Sequence, residues 1–285
     1  MELKTKAKLL LGRIAPKSVK KIVFERYDKC GLHTDLPANW HEYELFLLPL
    51  LLKSDSIFVD VGSNLGTYIY QAEKYIDSVN IHAFEPLKEY SAFLSKVFPG
   101  VAVNRCALSF EVGQARLSVP LVDGSVRYSR ASLAENESVS EAIVESHNVR
   151  TTSIDSYVRS KSIESLDLMK VDVEGHEYEV LKGASNTLKK YMPDLIVEIE
   201  ARYVDHPEKI LQFMSDLGYD CLYFDVVKRR MVMLDESLSA VQSRYEIGSA
   251  EYINNFVFTQ KESVGRLCDS VVNAVIVSES SKRQI

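Results

Sequence analysis

The sequence predicts an α/β protein built around a mostly parallel sheet, because short apolar runs alternate with longer segments of helical character. The first run, residues 57–61, is rich in β-branched and aromatic side chains, which is typical of a strand buried on both faces. The following segment, 67–75, contains no helix breaker and predicts a helix. The same succession of strand and helix recurs at 79–98 and 166–188, and residues 193–200 predict a further strand.

A glycine-containing loop joins the first strand to its helix, with the pattern Asp60-x-Gly62-x-Asn64-x-Gly66. The dinucleotide fingerprint G-x-G-x-x-G is not met, since Asn64 and Thr67 stand where its second and third glycines belong. This spacing disfavours a nicotinamide oxidoreductase. The pattern resembles the first motif of class I S-adenosylmethionine (SAM) methyltransferases. An ordinary turn with glycines for geometry is the alternative.

The composition limits the class of protein. With 285 residues, of which 46% are hydrophobic, the chain can bury one large core, and its net charge of -6 disfavours non-specific nucleic-acid binding. Cys30, Cys106, Cys221 and Cys268 lie far apart, which predicts free thiols in a reducing compartment. No apolar run has the length of a membrane span or a signal-peptide core. We therefore predict a cytoplasmic protein, or one peripheral to the inner membrane face.

We predict three regions along the chain: a basic arm and linker at 1–41, the main domain at 42–260, and an amphipathic helix with a polar tail at 261–285. Residues 1–29 carry nine Lys or Arg residues against three acidic ones. This pattern predicts either contact with an anionic membrane or a solvated helix packed on the domain. The last region is predicted to dock on the domain or on a second copy, which would give a homodimer.

The ends of the second and third predicted strands supply candidate nucleoside-binding residues. Glu85 ends the second strand about 20 residues after the glycine loop, where doubly wound folds place the acid that binds ribose hydroxyls. The third strand ends at a position that borders the base of a nucleoside in this architecture. We therefore predict base contacts from Asn104, Cys106 and Ala107.

An insertion is predicted after the third strand. Residues 110–119 predict a β-hairpin added to the sheet. Residues 121–148 are polar and weakly patterned, and they predict a lid whose Arg127 and Arg130 face anionic or sugar groups. The alternative is a surface loop whose arginines stay hydrated.

Ionisable residues cluster after the strand that ends near Asp172. Lys170 and Asp172 share one strand face by the two-residue period, and Glu174 and His176 lie in the turn that follows. The next predicted strand delivers Glu198 to the same edge. Because buried charges are costly, this grouping predicts a functional site.

These segments together resemble the FkbM family of SAM-dependent methyltransferases over about residues 56–259. The matching motifs lie at 59–66, 83–86, 152–155, 168–177, 180–184 and 197–199. The resemblance implies a Rossmann-like sheet of seven strands with helices on both faces, SAM as the methyl donor and a hydroxyl as the acceptor. The residues assigned on this basis to the cofactor site are Asp60, Gly62, Ser63, Asn64, Gly66, Glu85 and Pro86.

The residues assigned to catalysis are Lys170, Asp172, Glu174 and His176. Methyl transfer to an alcohol requires alignment of the acceptor oxygen and removal of its proton. We predict that His176 is the base and that Asp172 positions the acceptor. The alternative for His176 is a helix-start histidine bonded to Glu174 or solvent. A divalent cation held by Asp172, Glu174 and Glu198 is a less favoured option.

The predicted function is O-methylation of a hydroxyl on a sugar, glycan or related metabolite, with a small-molecule or glycan acceptor and no nucleic-acid partner. The alternative is a non-catalytic scaffold that binds SAM or a partner. The glycine loop and Glu85 disfavour the scaffold, because a retired site has no physical need for strand-end carboxylates.

Overall fold

The structure, a computed structural model, describes residues 16–24, 43–122, 125–133, 142–201, 204, 207–247, 249 and 251–282. Most of the predicted N-terminal arm and the middle of the predicted lid, residues 134–141, lie outside these ranges. The strands are β1 (Phe58–Val61), β2 (Ile81–Phe84), β3 (Ala102–Asn104), β4 (Ala107–Leu108), β5 (Gly113–Val122), β6 (Ser125–Val126), β7 (Ala142–Thr152), β8 (Leu168–Val171), β9 (Asp194–Glu198), β10 (Tyr219–Asp225), β11 (Arg230–Met233) and β12 (Asn255–Gln260). The α-helices are α1 (Pro16–Phe24), α2 (Leu48–Leu51), α3 (Thr67–Ala72), α4 (Lys88–Val97), α5 (Ile154–Ser160), α6 (Glu177–Lys182), α7 (Ser185–Tyr191), α8 (Pro207–Asp216), α9 (Leu238–Gln242) and α10 (Val264–Lys282).

The main sheet has eight strands in the order β3-β2-β1-β8-β9-β12-β10-β11. The five strands from β3 to β9 are parallel to their neighbours, whereas β12, β10 and β11 pair antiparallel. The predicted Rossmann-like α/β class is thus confirmed, but the predicted count of seven strands is wrong. The eighth strand is β11, which extends the edge as a hairpin with β10 through the register Asp225↔Arg230 to Leu222↔Met233.

Apolar layers cover both faces of the main sheet, as predicted. Phe58 and Leu168 pack in the layer that contains α1, α3 and α4, whereas Val59 and Met169 pack in the layer that contains α5 to α8. Because successive strand residues point to opposite faces, each central strand contributes to both layers. This burial fixes the register of β1 and β8, and therefore the place where their carboxyl ends meet.

Helix α1 packs on the flank of the domain. Val19 and Phe24 are buried, and the Phe24 ring stacks on that of Tyr70 with 4.8 Å between the centroids. Lys20 pairs with Glu73 on the same surface. For the part of the arm that is described, the packed helix is therefore the alternative that is observed.

Cys106, Cys221 and Cys268 are free thiols, as predicted, and Cys30 lies outside the described residues. No helix within the described ranges combines the length and apolar character that crossing a membrane requires.

The insertion is a second sheet, so the predicted simple hairpin is wrong. Four strands lie in the order β4-β7-β5-β6, and β5 pairs antiparallel with β7 from Gly113↔Thr151 to Leu121↔Ala142. The prediction of a lid is accordingly wrong for residues 142–148, because pairing with β5 makes them a strand. Leu117 of this sheet packs with Leu87 beside the start of α4, which fixes the second sheet next to the carboxyl ends of β2 and β3.

Candidate functional site

The loop after β1 turns through three left-handed residues: Gly62, Asn64 and Gly66 have φ angles of 78°, 48° and 86°. A Cβ added at Gly62 would lie 1.8 Å from the carbonyl oxygen of Asp172. A Cβ at Gly66 would meet the Phe98 side chain at 2.7 Å. Only glycine combines this backbone conformation with such close approach, so the loop is held tightly against the end of β8.

Glu85 fastens the loop from the neighbouring strand. Its Oε2 accepts the N–H of Asn64 at 3.0 Å, and its Oε1 accepts the N–H of Leu87 at 2.8 Å. Burial raises the pKa of Glu85 to about 8, and the nearby carboxylates of Asp60 and Asp172 add to the rise. Each carboxylate oxygen keeps a second lone pair, so the group can also accept hydrogen bonds from ligand hydroxyls.

Glu177 holds the turn that follows β8. Its Oε1 accepts the N–H groups of Val173 at 3.2 Å and Gly175 at 3.0 Å. Between these bonds the chain is left-handed at two successive residues, with φ of 56° at Glu174 and 98° at Gly175. Burial raises the pKa of Glu177 to about 7. A buried carboxyl group therefore fixes the turn that presents Glu174 and His176.

His176 is tied to the second sheet rather than to Glu174. Its Nε2 lies 3.0 Å from the Oγ of Ser109, and burial lowers the pKa of the imidazole. The ring is therefore neutral near pH 7, as a general base has to be.

Lys170 lies beneath the site and is 2% exposed. Its Nζ donates to Oδ1 of Asn255 at 3.0 Å and lies 3.9 Å from Asp172 and 4.0 Å from Glu198. Burial, reinforced by the carboxylate of Asp172, raises the pKa values of Glu174 and Glu198 well above the ordinary range. The ammonium group thus lies beside Glu198, which, like Glu174, keeps its proton to a higher pH than a solvent-exposed carboxyl group does.

Across the segments that the structure covers, no group of three or more His, Cys, Asp or Glu side chains is arranged to hold a metal ion. Asp172, Glu174 and Glu198 influence one another electrostatically without forming a ligand set.

These elements border one cleft at the carboxyl edge of the main sheet, beside β1 and β8, where the chain order reverses. The cleft measures about 610 Å³ when its open mouth is included. The predicted residues that line the cleft are Gly62, Asn64, Glu85, Pro86, Cys106, Ala107, Asp172, Glu174 and His176.

Five other predicted site residues lie beside the lining. Asp60 and Lys170 are paired in register on β1 and β8, and both are buried. The hydroxyl of Ser63 donates to the carbonyl of Asp60 at 2.9 Å, and Gly66 packs on α4 and the residue after it. The amide of Asn104 donates to two backbone carbonyls, of β2 and of its own strand. The geometry of these five supports the walls of the cleft.

The insertion contributes further lining residues: Leu108 and Leu117 from the second sheet, and Tyr128, Ala131 and Leu133 from the segment between β6 and β7, which lies within the predicted lid. Leu117 carries a usable signal, since it occupies an apolar position of an alternating strand. The predicted lid at 121–148 contains Tyr128, Ala131 and Leu133, whereas nothing in the sequence marks Leu108 or Ser109 as a site residue. Arg130 does not line the cleft, although its charge opposes the rise in the pKa of Glu174.

The chain is similar to several known methyltransferases. The sequence profile of the methyltransferase FkbM domain matches residues 60–221, which is more than half of the chain. The hexuronic acid methyltransferase AglP of Haloferax volcanii is 30% identical over 164 residues, covering 58% of this chain and 63% of that protein. Methyltransferase sdnD of Sordaria araneosa is 27% identical over 232 residues, covering 72% of this chain and 85% of that protein. The crystal structure of methyltransferase FkbM from Methylobacillus flagellatus KT superposes with a TM-score of 0.47 at 14% identity, covering 78% of this chain and 48% of that one.

Proposed function

The chain belongs to the FkbM methyltransferase family, and we propose that it transfers the methyl group of SAM to a hydroxyl of a sugar or glycan. The observation that carries this proposal is the shared cleft, since Gly62, Glu85, Asp172 and His176 all line it. A donor-binding loop, a carboxyl group for ribose and a neutral imidazole thus border one space. The proposal also makes residues 42–260 the catalytic domain.

The residues at the strand ends fit SAM. The missing side chain at Gly62 lets the loop lie close to β8, and Glu85 supplies a buried carboxyl group on the rim of the cleft. We assign Glu85 to the ribose hydroxyls and the loop from Gly62 to Gly66 to the methionyl end. When bound, SAM supplies an electrophilic methyl group on a sulfonium that is a good leaving group.

The protein's own contribution is alignment and proton removal. In this mechanism Asp172 accepts a hydrogen bond from the acceptor hydroxyl and orients its oxygen. The mechanism requires the tautomer of His176 in which Nε2–H donates to Ser109, because the lone pair of Nδ1 is then left to receive the hydroxyl proton. Lys170 does not touch the acceptor; it positions the carboxylate of Asp172, 3.9 Å away.

Uronic acids are the first acceptors to test. The relative AglP is named as a hexuronic acid methyltransferase, and it is similar to 58% of this chain. The assay is transfer of labelled methyl from SAM to glycans that contain uronic acid, together with calorimetry of SAM binding. Binding of SAM without transfer to any glycan would favour the scaffold alternative, and failure to bind SAM would overturn the proposal.

Replacing His176 by Ala separates the base from the cofactor site. We expect turnover to fall at least 100-fold, within the range attributed to general bases, while the SAM affinity changes less than threefold. The matched control is His82→Asn, because His82 is bonded to Tyr157 and does not line the cleft. Unchanged turnover in the His176 variant would rule out the assignment of the base.

Peripheral membrane contact and a homodimer belong to this proposal as predictions. Since Val19 and Val23 are buried on the domain, contact by α1 would use its lysines. Co-sedimentation with anionic vesicles, compared with the variant Lys17→Gln/Lys21→Gln, which keeps the buried apolar residues of α1, tests the membrane contact. Leu267 and Val271 of α10 are likewise buried on the domain, so a dimer through this helix would use its remaining, exposed face. Light scattering of the full chain tests whether the protein is a dimer.

A further inference from the structure

A second groove adjoins the cleft, and Pro86 and Leu87 line both. The groove encloses about 1070 Å³, including its open mouth. The first turn of α4 and residues 147–150 of β7 border it, and Arg105, the residue after β3, also lines it. The groove therefore begins where the nucleoside end of the cleft is assigned.

Positive charge is concentrated in this groove. Lys88, Arg105 and Arg150 line it and are exposed. Within the residues that the structure describes, none of these three forms a salt bridge. The lining contains one carboxylate, that of Glu89. The groove thus carries a local positive charge, although the net charge of the whole chain is -6.

The remaining ionisable residue of the lining is His147, whose Nε2 lies 3.4 Å from the carboxylate of Glu145. That carboxylate offsets any charge on the imidazole. The attraction for an anion therefore comes from the two guanidinium groups and the ammonium group, which bind carboxylates and phosphates through charge-assisted hydrogen bonds.

The shape of the groove favours a chain-like ligand over a membrane. A concave groove admits a narrow polymer, whereas a flat bilayer surface contacts protruding side chains. Arg105 follows β3 and Asp172 follows β8, and these strands are three spacings of about 4.8 Å apart in the sheet, which separates them by about 14 Å. A ligand with reacting and anionic groups this far apart is longer than a single sugar.

We propose that this groove binds the carboxylate or phosphate group of an anionic glycan, which makes an acidic oligosaccharide the acceptor class. The identification of this ligand as the acceptor rests on the proposed function. The proposal that the groove binds an anion is independent of the proposed function.

The test measures binding of a tetramer of galacturonic acid by calorimetry, without SAM and at low salt, with neutral maltotetraose as the comparison. The proteins are the wild type, the double variant Arg105→Ala/Arg150→Ala, and the control Arg116→Ala, which removes an exposed cation of the same second sheet outside the groove. We expect the double variant to bind the acidic tetramer at least tenfold more weakly. The control should stay within twofold of the wild type, and added salt should weaken wild-type binding.

Equal affinity for the neutral tetramer, or an equal loss in the Arg116 control, would overturn the proposal. So would binding to phosphatidylglycerol vesicles without binding to the acidic tetramer. SAM affinity, measured on the same samples, should be unchanged in the double variant. If SAM does not bind but the tetramer does, the proposed function fails and the anion site stands; if SAM binds and the tetramer does not, only the anion site fails.

Discussion

Raising the pH from 6 to 8 should strengthen SAM binding about 50-fold through the carboxyl group of Glu85. Burial raises its pKa from 4.5 to about 8. A carboxyl group with that pKa is roughly 1% ionised at pH 6 and about 50% ionised at pH 8. In the proposed assignment the ionised form accepts both ribose hydroxyls, so the apparent Kd should vary inversely with the ionised fraction. A change of about 50-fold corresponds to about 2.3 kcal/mol of binding free energy.

The unfolding free energy of the protein without SAM should fall as the pH rises, although SAM binding is expected to strengthen. A carboxyl group whose pKa is raised on folding contributes stability that is present below pH 4.5 and is lost as the pH rises through about 8. The difference between these two pKa values corresponds to a loss of about 5 kcal/mol in unfolding free energy, and we attribute this loss to Glu85. Bound SAM should reduce this loss, because it favours the ionised carboxylate.

Calorimetry at pH 6, 7 and 8 tests this reasoning, with each titration run in two buffers of different ionisation enthalpy to count the protons released. Glu85→Gln should lose the pH dependence, whereas Glu89→Gln, at an exposed position on α4, should keep it. The amino group of SAM titrates identically against all three proteins, so differences between them report Glu85. A wild-type affinity that varies less than threefold, or equal pH dependence in the Glu85 variant, would refute the reasoning.

Three other substitutions test the packing around the site. Gly62→Ala places a methyl group 1.8 Å from the carbonyl oxygen of Asp172 at a residue with left-handed backbone, so we expect the unfolding free energy to fall by about 2–5 kcal/mol and SAM binding to weaken. The control is Gly113→Ala, where the nearest atom is 3.6 Å from the added Cβ. Equal losses in the two variants would contradict the prediction. Phe24→Ala removes a buried ring and should cost about 3–5 kcal/mol by denaturant unfolding, and a loss below 1 kcal/mol would show that α1 is not docked in solution. Glu177→Gln keeps a hydrogen-bond acceptor for the turn but cannot ionise. The wild type should lose about 3 kcal/mol of unfolding free energy as the pH rises from 4.5 to about 7, and the variant should lose less. The same slope of melting temperature against pH in both proteins would contradict this prediction.

The central sheet could be predicted from the sequence because its signals are local. Each parallel strand is a short apolar run bounded by a loop, and the spacing from the glycine loop to Glu85 matches one strand-helix-strand unit. The second sheet could not be predicted in the same way. Its strand β7 includes the polar sequence Glu145-Ser146-His147-Asn148, which becomes a strand through pairing with distant β5.

The two-residue period also explains which site residues are displaced from the cleft. The period predicts one strand face for Lys170 and Asp172, but β8 ends at Val171, and Asp172 belongs to the turn beyond it. Lys170 therefore follows the strand and is buried, whereas Asp172 reaches the lining. The contact between His176 and Ser109 joins segments 67 residues apart, and no pattern along the chain encodes such a meeting.

The cleft is assembled from two sources that sequence change can alter independently. Its base is built by the ends of β1, β2 and β8, which also carry the core, whereas the insertion covers it with Leu117 of β5 and with Tyr128 and Leu133 between β6 and β7. Substitutions in that cover can reshape the entrance without disturbing the parallel strands. Changes confined to the insertion are therefore the route by which we expect the proposed methyl-donor site to acquire new acceptors.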